Sequence, residues 1–163
     1  GRGGEGSPRA ERVRPSPQIA QALISRADRV AQVAEDLMDG PAGQAFRRLS
    51  PGERRQAALD WLHALAVAFR TGSISDGLER AESYGRAHGL ARSTAEITLA
   101  GSLAMERAVE RALCEGPDPL DEADRRRAAS ALQRLTVRIA EAWAETVPEP
   151  AATAVPTRPA GRR

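Results

Sequence analysis

Two histidines, His63 and His88, are the side chains of this sequence best suited to hold a cofactor, and they lie 25 residues apart in neighbouring predicted helices. Imidazole is a common axial ligand of haem iron. Aromatic residues make up only 3% of the chain, which leaves few side chains to line a haem slot. We therefore predict no cofactor, with His88 at the negatively polarised end of a helix and His63 partly exposed. Haem bound through His88 remains the alternative.

Four acidic residues near the start of the last predicted helix, Asp118, Asp121, Glu122 and Asp124, could suggest a metal site. Their spacing fits no calcium loop, and acidic residues are common in the first turn of a helix. Asp121 and Glu122 can also pair with the arginines four positions further along. The pattern predicts a solvated helix start and no bound metal.

The remaining candidates for catalysis are few. Cys114 lies at the end of a predicted helix, where the dipole does not activate a thiolate, so we expect it to be buried or unreactive. The sequence contains no glycine-rich phosphate loop and no supported Ser/His/Asp pattern. We predict that the protein is not an enzyme.

Four aromatic residues, Trp61, Phe69, Tyr84 and Trp143, are expected mainly to fill volume that alanine leaves. A small apolar effector, if one binds, is expected among the third, fourth and fifth helices, near Trp61, Tyr84 and His88.

The composition indicates the elements that must position these residues. Alanine supplies 32 of 163 residues, and glycine and proline are concentrated near the ends and between periodic apolar stretches, so the fold class is predicted to be all-α. Ser16 with Pro17, and Ser50 with Glu53 around Pro51, are typical helix starts. The six predicted helices cover residues 17–39, 42–49, 51–71, 76–88, 94–115 and 119–146.

We expect one domain, residues 16–147, between two linkers, residues 1–15 and 148–163, whose composition cannot support a core. Residues 17–147 contain 17 Arg against 19 Asp and Glu, so the net positive charge lies in the tails. A single cysteine allows no intrachain disulfide, and the sequence shows neither an 18-residue apolar run nor a secretory signal. These features predict a cytoplasmic protein without a membrane partner.

Residues 90–106 could be the DNA-recognition portion of a helix-turn-helix motif, because a Gly-Leu turn precedes Arg92 and Ser93. A recognition helix needs Arg, Lys, Asn or Gln near its start, and residues 94–106 contain none of them. Ser93 with Glu96 also forms a capping box that simply starts a long helix. Nucleic acid is therefore not expected as a partner, and a DNA-binding regulator remains an alternative.

Small residues recur every three or four positions along this long helix and allow another helix to approach closely. We predict that it pairs with the final helix into half of a four-helix bundle, completed by a second copy across a two-fold axis. The predicted homodimer interface comprises Leu99, Gly101, Leu103, Ala104, Ala108, Leu132, Leu135 and Ile139.

His88, Gly89 and Arg92, followed by a long helix that ends in ERAVERAL, form a pattern over Ala87–Leu113. This pattern, together with the preceding LSPGERRQAALDWLHALAVAFRTGS, resembles the globin-like, usually non-haem N-terminal sensor domains of Rsb-type stressosome co-antagonists and related bacterial sensor kinases and regulators. The chain lacks the aromatic residue usual near SLAMER. The resemblance covers residues 17–147 and implies a six-helix globin-like bundle that dimerises and passes a signal through its last helix to a downstream domain or partner protein.

Overall fold

The computed structural model of the protein describes residues 11–40, 49–80 and 95–146, and within the last range it describes side chains over 100–141. These residues form six helices and no strand, apart from an isolated antiparallel bridge between Arg12 and Ser73. The predicted all-α class is confirmed. The helices are α1 (Pro17–Ser25), α2 (Ala27–Asp39), α3 (Pro51–Thr71), α4 (described over 74–80), α5 (Ala95–Cys114) and α6 (Glu122–Thr146).

Two helix starts follow the predicted capping chemistry. The Ser16 hydroxyl accepts a hydrogen bond from the Ile19 N–H (3.1 Å), and Pro17 occupies the first turn of α1. At α3 the capping box is complete, because Ser50 Oγ accepts from the Glu53 N–H (3.1 Å) while Glu53 Oε1 accepts from the Ser50 N–H (3.2 Å). Gly72, with a φ of +80°, ends α3 in the left-handed conformation that favours glycine.

The predicted single helix over residues 17–39 is wrong, because the structure divides it at Arg26. Arg26 has φ −109° and ψ 17°, and its N–H donates to the carbonyls of Ala22 (3.1 Å) and Leu23 (3.3 Å). The Ser25 hydroxyl also donates to the Ala22 carbonyl (3.1 Å), a local bond that competes with helix continuation. Neither glycine nor proline marks this break in the sequence.

Two further helix starts differ from prediction by a few residues. The Ser73 hydroxyl accepts from the Asp76 N–H (3.3 Å), and α4 begins at residue 74 rather than 76. Helix α6 begins at Glu122 rather than 119, because Asp121 Oδ1 accepts from the Asp124 N–H (2.8 Å) and caps the helix there.

The core lies between α3 and the helices around it, with α1, α2, α5 and α6 all in contact with α3 and with α2 and α6 also packed on α5. Every described helix contributes to it. The largest fully buried side chains are Ile19, Leu23, Val30, Leu62, Leu65, Phe69, Ile74, Met105, Leu113, Leu132, Leu135 and Ile139. Helix α4 approaches α3 so closely that a Cβ on Gly77 would lie 2.5 Å from the Ala64 carbonyl oxygen.

The predicted N-terminal linker, residues 1–15, is wrong over its last five residues. The Val13 side chain is only 5% exposed, and its N–H donates to the Gly72 carbonyl (3.0 Å). Composition suggested a linker because this stretch is polar, but one buried valine and several main-chain hydrogen bonds suffice to dock it.

Several predictions fall outside the described residues: the short helix with Phe46, the Ser93 capping box, and the tail 148–163. Among the helices that are described, none combines the length and the apolar character needed to cross a bilayer.

Candidate functional site

Trp61 is the predicted ligand-binding residue that the structure describes, and it lies buried on α3 with 8% of its surface exposed. Its indole N–H finds no hydrogen-bond acceptor among the residues that the structure describes, an arrangement that costs on the order of 1–3 kcal/mol. Tyr84 and His88 lie outside the described residues, as do residues 90–94 of the proposed DNA-reading segment. The proximity of Trp61 to Tyr84 and His88, and haem ligation by His88, therefore stay predictions.

His63 lies half-buried on α3, as the sequence predicted. Burial lowers the pKa of His63 below 6.5, and the positive charges of Arg80 and Arg70 lower this pKa further. The imidazole is thus held in its neutral form beside two exposed arginines.

Most of the predicted dimer interface lies in the core of one chain. Ala104, Ala108, Leu132, Leu135 and Ile139 are at most 6% exposed. Gly101 is also buried, and the Leu99 side chain is not among those described. The assignment of these six buried residues to an interface is corrected, because the small-residue stripe is covered by α2 and α6 of the same chain rather than by a second copy.

Leu103 is the exception, since 54% of its surface is exposed, and Val137 on α6 is 56% exposed. Ser102 Oγ lies 3.5 Å from Thr136 Oγ1, and the Leu120 N–H donates to the Leu113 carbonyl, so α5 and α6 run antiparallel. Successive side chains on a helix are rotated by about 100° around its axis. When two helices run antiparallel, the residues that directly follow a contact pair therefore point to the same side of the helix pair. Leu103 and Val137 therefore share one face of the α5 and α6 pair, which we call the outer face.

A second surface of α6 carries three arginines, Arg127, Arg134 and Arg138, at spacings that place them on one side of the helix. Arg127 Nη2 donates to the Arg14 carbonyl (2.6 Å), and Arg134 Nη1 donates to the Arg12 carbonyl (2.8 Å). These bonds hold residues 11–14 along α6. Sequence reasoning missed this role, although the seven- and four-residue spacing of the arginines was a visible signal.

The acidic residues at the start of α6 cap the helix or pair with arginines of the same helix. Glu122 pairs with Arg126 (2.8 Å) as predicted. The predicted pair of Asp121 with Arg125 is wrong, because Asp121 caps α6 and Arg125 Nη1 instead donates to the Leu120 carbonyl (2.7 Å). Within residues 11–40, 49–80 and 95–146, no three His, Cys, Asp or Glu side chains are grouped so that they could hold a metal ion.

The end of α5 is closed by an arginine from the break between α1 and α2. Arg26 Nη1 donates to the carbonyls of Ala112 (3.4 Å) and Leu113 (3.3 Å), and Nη2 donates to the Asp118 carbonyl. A cation on the last carbonyls of a helix is favourable because the dipole is negative there. Cys114 is exposed beside this junction, so of the two expectations for it, burial is wrong and an unreactive thiol stays a prediction.

Comparison of the chain with protein-family models, with curated proteins and with solved structures gives no match. Two surfaces of the chain bear on its function: the outer face and the arginine side of α6.

Proposed function

We propose that the protein is a regulatory helical domain that pairs with a second copy through the outer face of α5 and α6 and relays binding of a ligand or partner through α6. The observation that carries this proposal is that Leu103 and Val137 are both exposed on the outer face. Apolar surface that is rimmed by polar residues is typical of interaction sites.

The outer face suits pairing of identical chains. A two-fold interface must be self-complementary, and an apolar centre with both signs of charge around it meets this requirement. On α5 the exposed Arg107 and Glu110 follow Leu103 at helical spacing, and on α6 Glu141 follows Val137. In a dimer the apolar pairs would meet at the centre, and the charged residues would form the rim.

The relay is argued from the position of α6 in the molecule. This helix packs on α5 and α3 and is also bonded to residues 11–14, so a change in any of these contacts alters its packing. Shifts of helices at an interface are a known way to transmit binding. The resemblance of the sequence to globin-like sensor domains supports the same proposal, which includes a cytoplasmic location and a downstream signalling partner.

Sedimentation velocity of the full chain over a range of concentrations tests the dimer. We expect a dimer whose dissociation constant lies in or below the micromolar range, and we expect Leu103→Glu with Val137→Glu to give a monomer that keeps its helical circular dichroism. Ile24→Glu on α1 is the matched control, because Ile24 is also an exposed large apolar residue but lies off the outer face. A wild-type chain that is monomeric at about 100 μM, or equal dissociation by the control, would overturn the proposal.

A further inference from the structure

Residues 11–16 lie between the end of α3 and the arginine side of α6, a place that we call the groove. The Val13 N–H donates to the Gly72 carbonyl (3.0 Å), and the Ser16 N–H donates to the Phe69 carbonyl (2.9 Å). Arg12 and Ser73 are paired as an antiparallel bridge. The end of α3 and the turn after it therefore resemble a short sheet edge, to which an extended segment binds through main-chain hydrogen bonds.

The opposite wall of the groove is the arginine side of α6. Arg134 and Arg127 donate to the carbonyls of Arg12 and Arg14, so the segment runs antiparallel to α6. Arg138 Nε lies 3.1 Å from Glu11 Oε1, an ion pair without hydrogen-bond geometry. These contacts use peptide carbonyls and one carboxylate, groups that a different polypeptide could also supply.

Two side chains of the segment make specific contacts in the groove. The Glu11 carboxylate accepts from the Ser75 hydroxyl (2.5 Å) in addition to its ion pair, and Val13 is buried in the core cluster. Arg12, Arg14 and Pro15 are exposed. Over residues 11–14, alternate side chains thus face the groove and the solvent, which is how extended peptides are selected on a sheet edge.

We propose that this groove is a docking site for an extended peptide of a partner protein, with a carboxylate two residues before a valine or isoleucine, and that residues 11–16 occupy it as an intramolecular substitute. Because the internal segment continues directly into α1, a partner must compete with it at an effective concentration on the order of millimolar or higher. Val13 is the one large apolar side chain that holds it in place. The proposal does not depend on dimerisation.

Peptide binding to the full chain is the direct test. A fluorescein-labelled peptide with the sequence of residues 5–18 should bind the Val13→Asp full chain with a saturable rise in anisotropy, and it should bind wild type at least about tenfold more weakly because the groove is filled. The same peptide with Val13→Asp should bind neither. An Arg134→Ala change in the Val13→Asp chain should weaken binding, whereas Arg126→Ala, which lies outside the groove, should not. Failure of the peptide to bind a folded Val13→Asp chain, or equal binding to wild type, would overturn the proposal.

Hydrogen exchange of the wild-type chain gives an answer even if Val13→Asp does not fold. The amide of Val13 should exchange at least about tenfold faster than that of Leu65, because the segment must open without unfolding the core. Equal protection of these amides would mean that the segment leaves only on global unfolding, and it would exclude a displaceable occupant.

Discussion

At the scale of single residues, we expect His63 to couple stability to pH. Its pKa is lowered in the folded chain by burial and by Arg80 and Arg70, so the unfolded chain binds the proton more readily. Protonation therefore favours unfolding, and the stability that is fully present above the unfolded pKa of about 6.5 is lost as pH falls through the window below it.

Replacement of His63 by Gln, which does not titrate, should reduce this loss. The thermal midpoint of wild type should fall more than that of His63→Gln as the pH is lowered from about 7.5 to about 5.5, above the range where most carboxylates titrate. Circular dichroism melts of both chains in matched ionic strength measure the difference. Parallel pH profiles would show that His63 does not contribute.

Two glycines with positive φ allow the energetic cost of backbone strain to be distinguished from the cost of a steric clash. Gly72 has φ +80° and Gly116 has φ +100°, but a Cβ on Gly72 would lie 2.9 Å from Pro15 Cγ, whereas one on Gly116 would meet nothing within 4 Å. Gly116→Ala should cost about 1 kcal/mol from conformation alone. Gly72→Ala should cost about 1–3 kcal/mol more, because it also pushes the N-terminal segment away. Urea unfolding of the two variants tests this, and equal losses would contradict the packing described for Pro15.

At the scale of elements, Arg26 joins three helices, because it lies where α1 ends and α2 begins and its guanidinium closes α5. Arg26→Met keeps much of the aliphatic stem but removes the donors from the α5 carbonyls. We expect a loss of about 2 kcal/mol in the free energy of unfolding, since hydrogen bonds from charged groups contribute more than neutral ones.

Arg29→Met is the matched control for this prediction. Arg29 lies 2.9 Å from Glu115, but both side chains are more than 40% exposed, so the pair should contribute less than about 1 kcal/mol. Urea unfolding of both variants is the measurement. If Arg29→Met were as destabilising as Arg26→Met, the carbonyl contacts of Arg26 would not be what closes α5.

The element scale also shows how far local chemistry predicts structure. The ends of α3 were predicted from Ser50, Glu53 and Gly72, because a capping box and a left-handed glycine act within about four residues. The break at Arg26 was not predicted, because the bonds that favour it include carbonyls 86 and 87 positions away.

At the scale of the whole molecule, the proposed dimer makes stability depend on concentration. If the folded chains pair through Leu103 and Val137, the thermal midpoint should rise as protein concentration is raised, because association stabilises only the folded state. Leu103→Glu with Val137→Glu should abolish this dependence, and Ile24→Glu should keep it. A midpoint that is independent of concentration in the wild type would argue against an interface that forms in this range.

For the candidate surfaces too, the sequence predicted one part and only the structure showed the rest. Leu103 was named from the sequence, but its neighbours Ala104 and Ala108 were assigned to the same interface although they face the interior. Helical spacing shows that small residues share a stripe, but it does not show which helix covers them. The arginine side of α6 was overlooked because Arg127 and Arg134 bind main-chain carbonyls, which no residue type reveals.

The amino-acid sequence alone determined the all-α class and the caps that begin α1 and α3, because alanine content and capping hydrogen bonds act within a turn or two of the chain. The tertiary structure alone decided that residues 11–15 dock, that α1 and α2 are separate, and that the small-residue stripe is interior. Each of these outcomes depends on contacts between residues far apart in the chain, as in the 122 positions between Arg12 and Arg134. Whether such groups meet is set by packing of the whole core rather than by any local pattern.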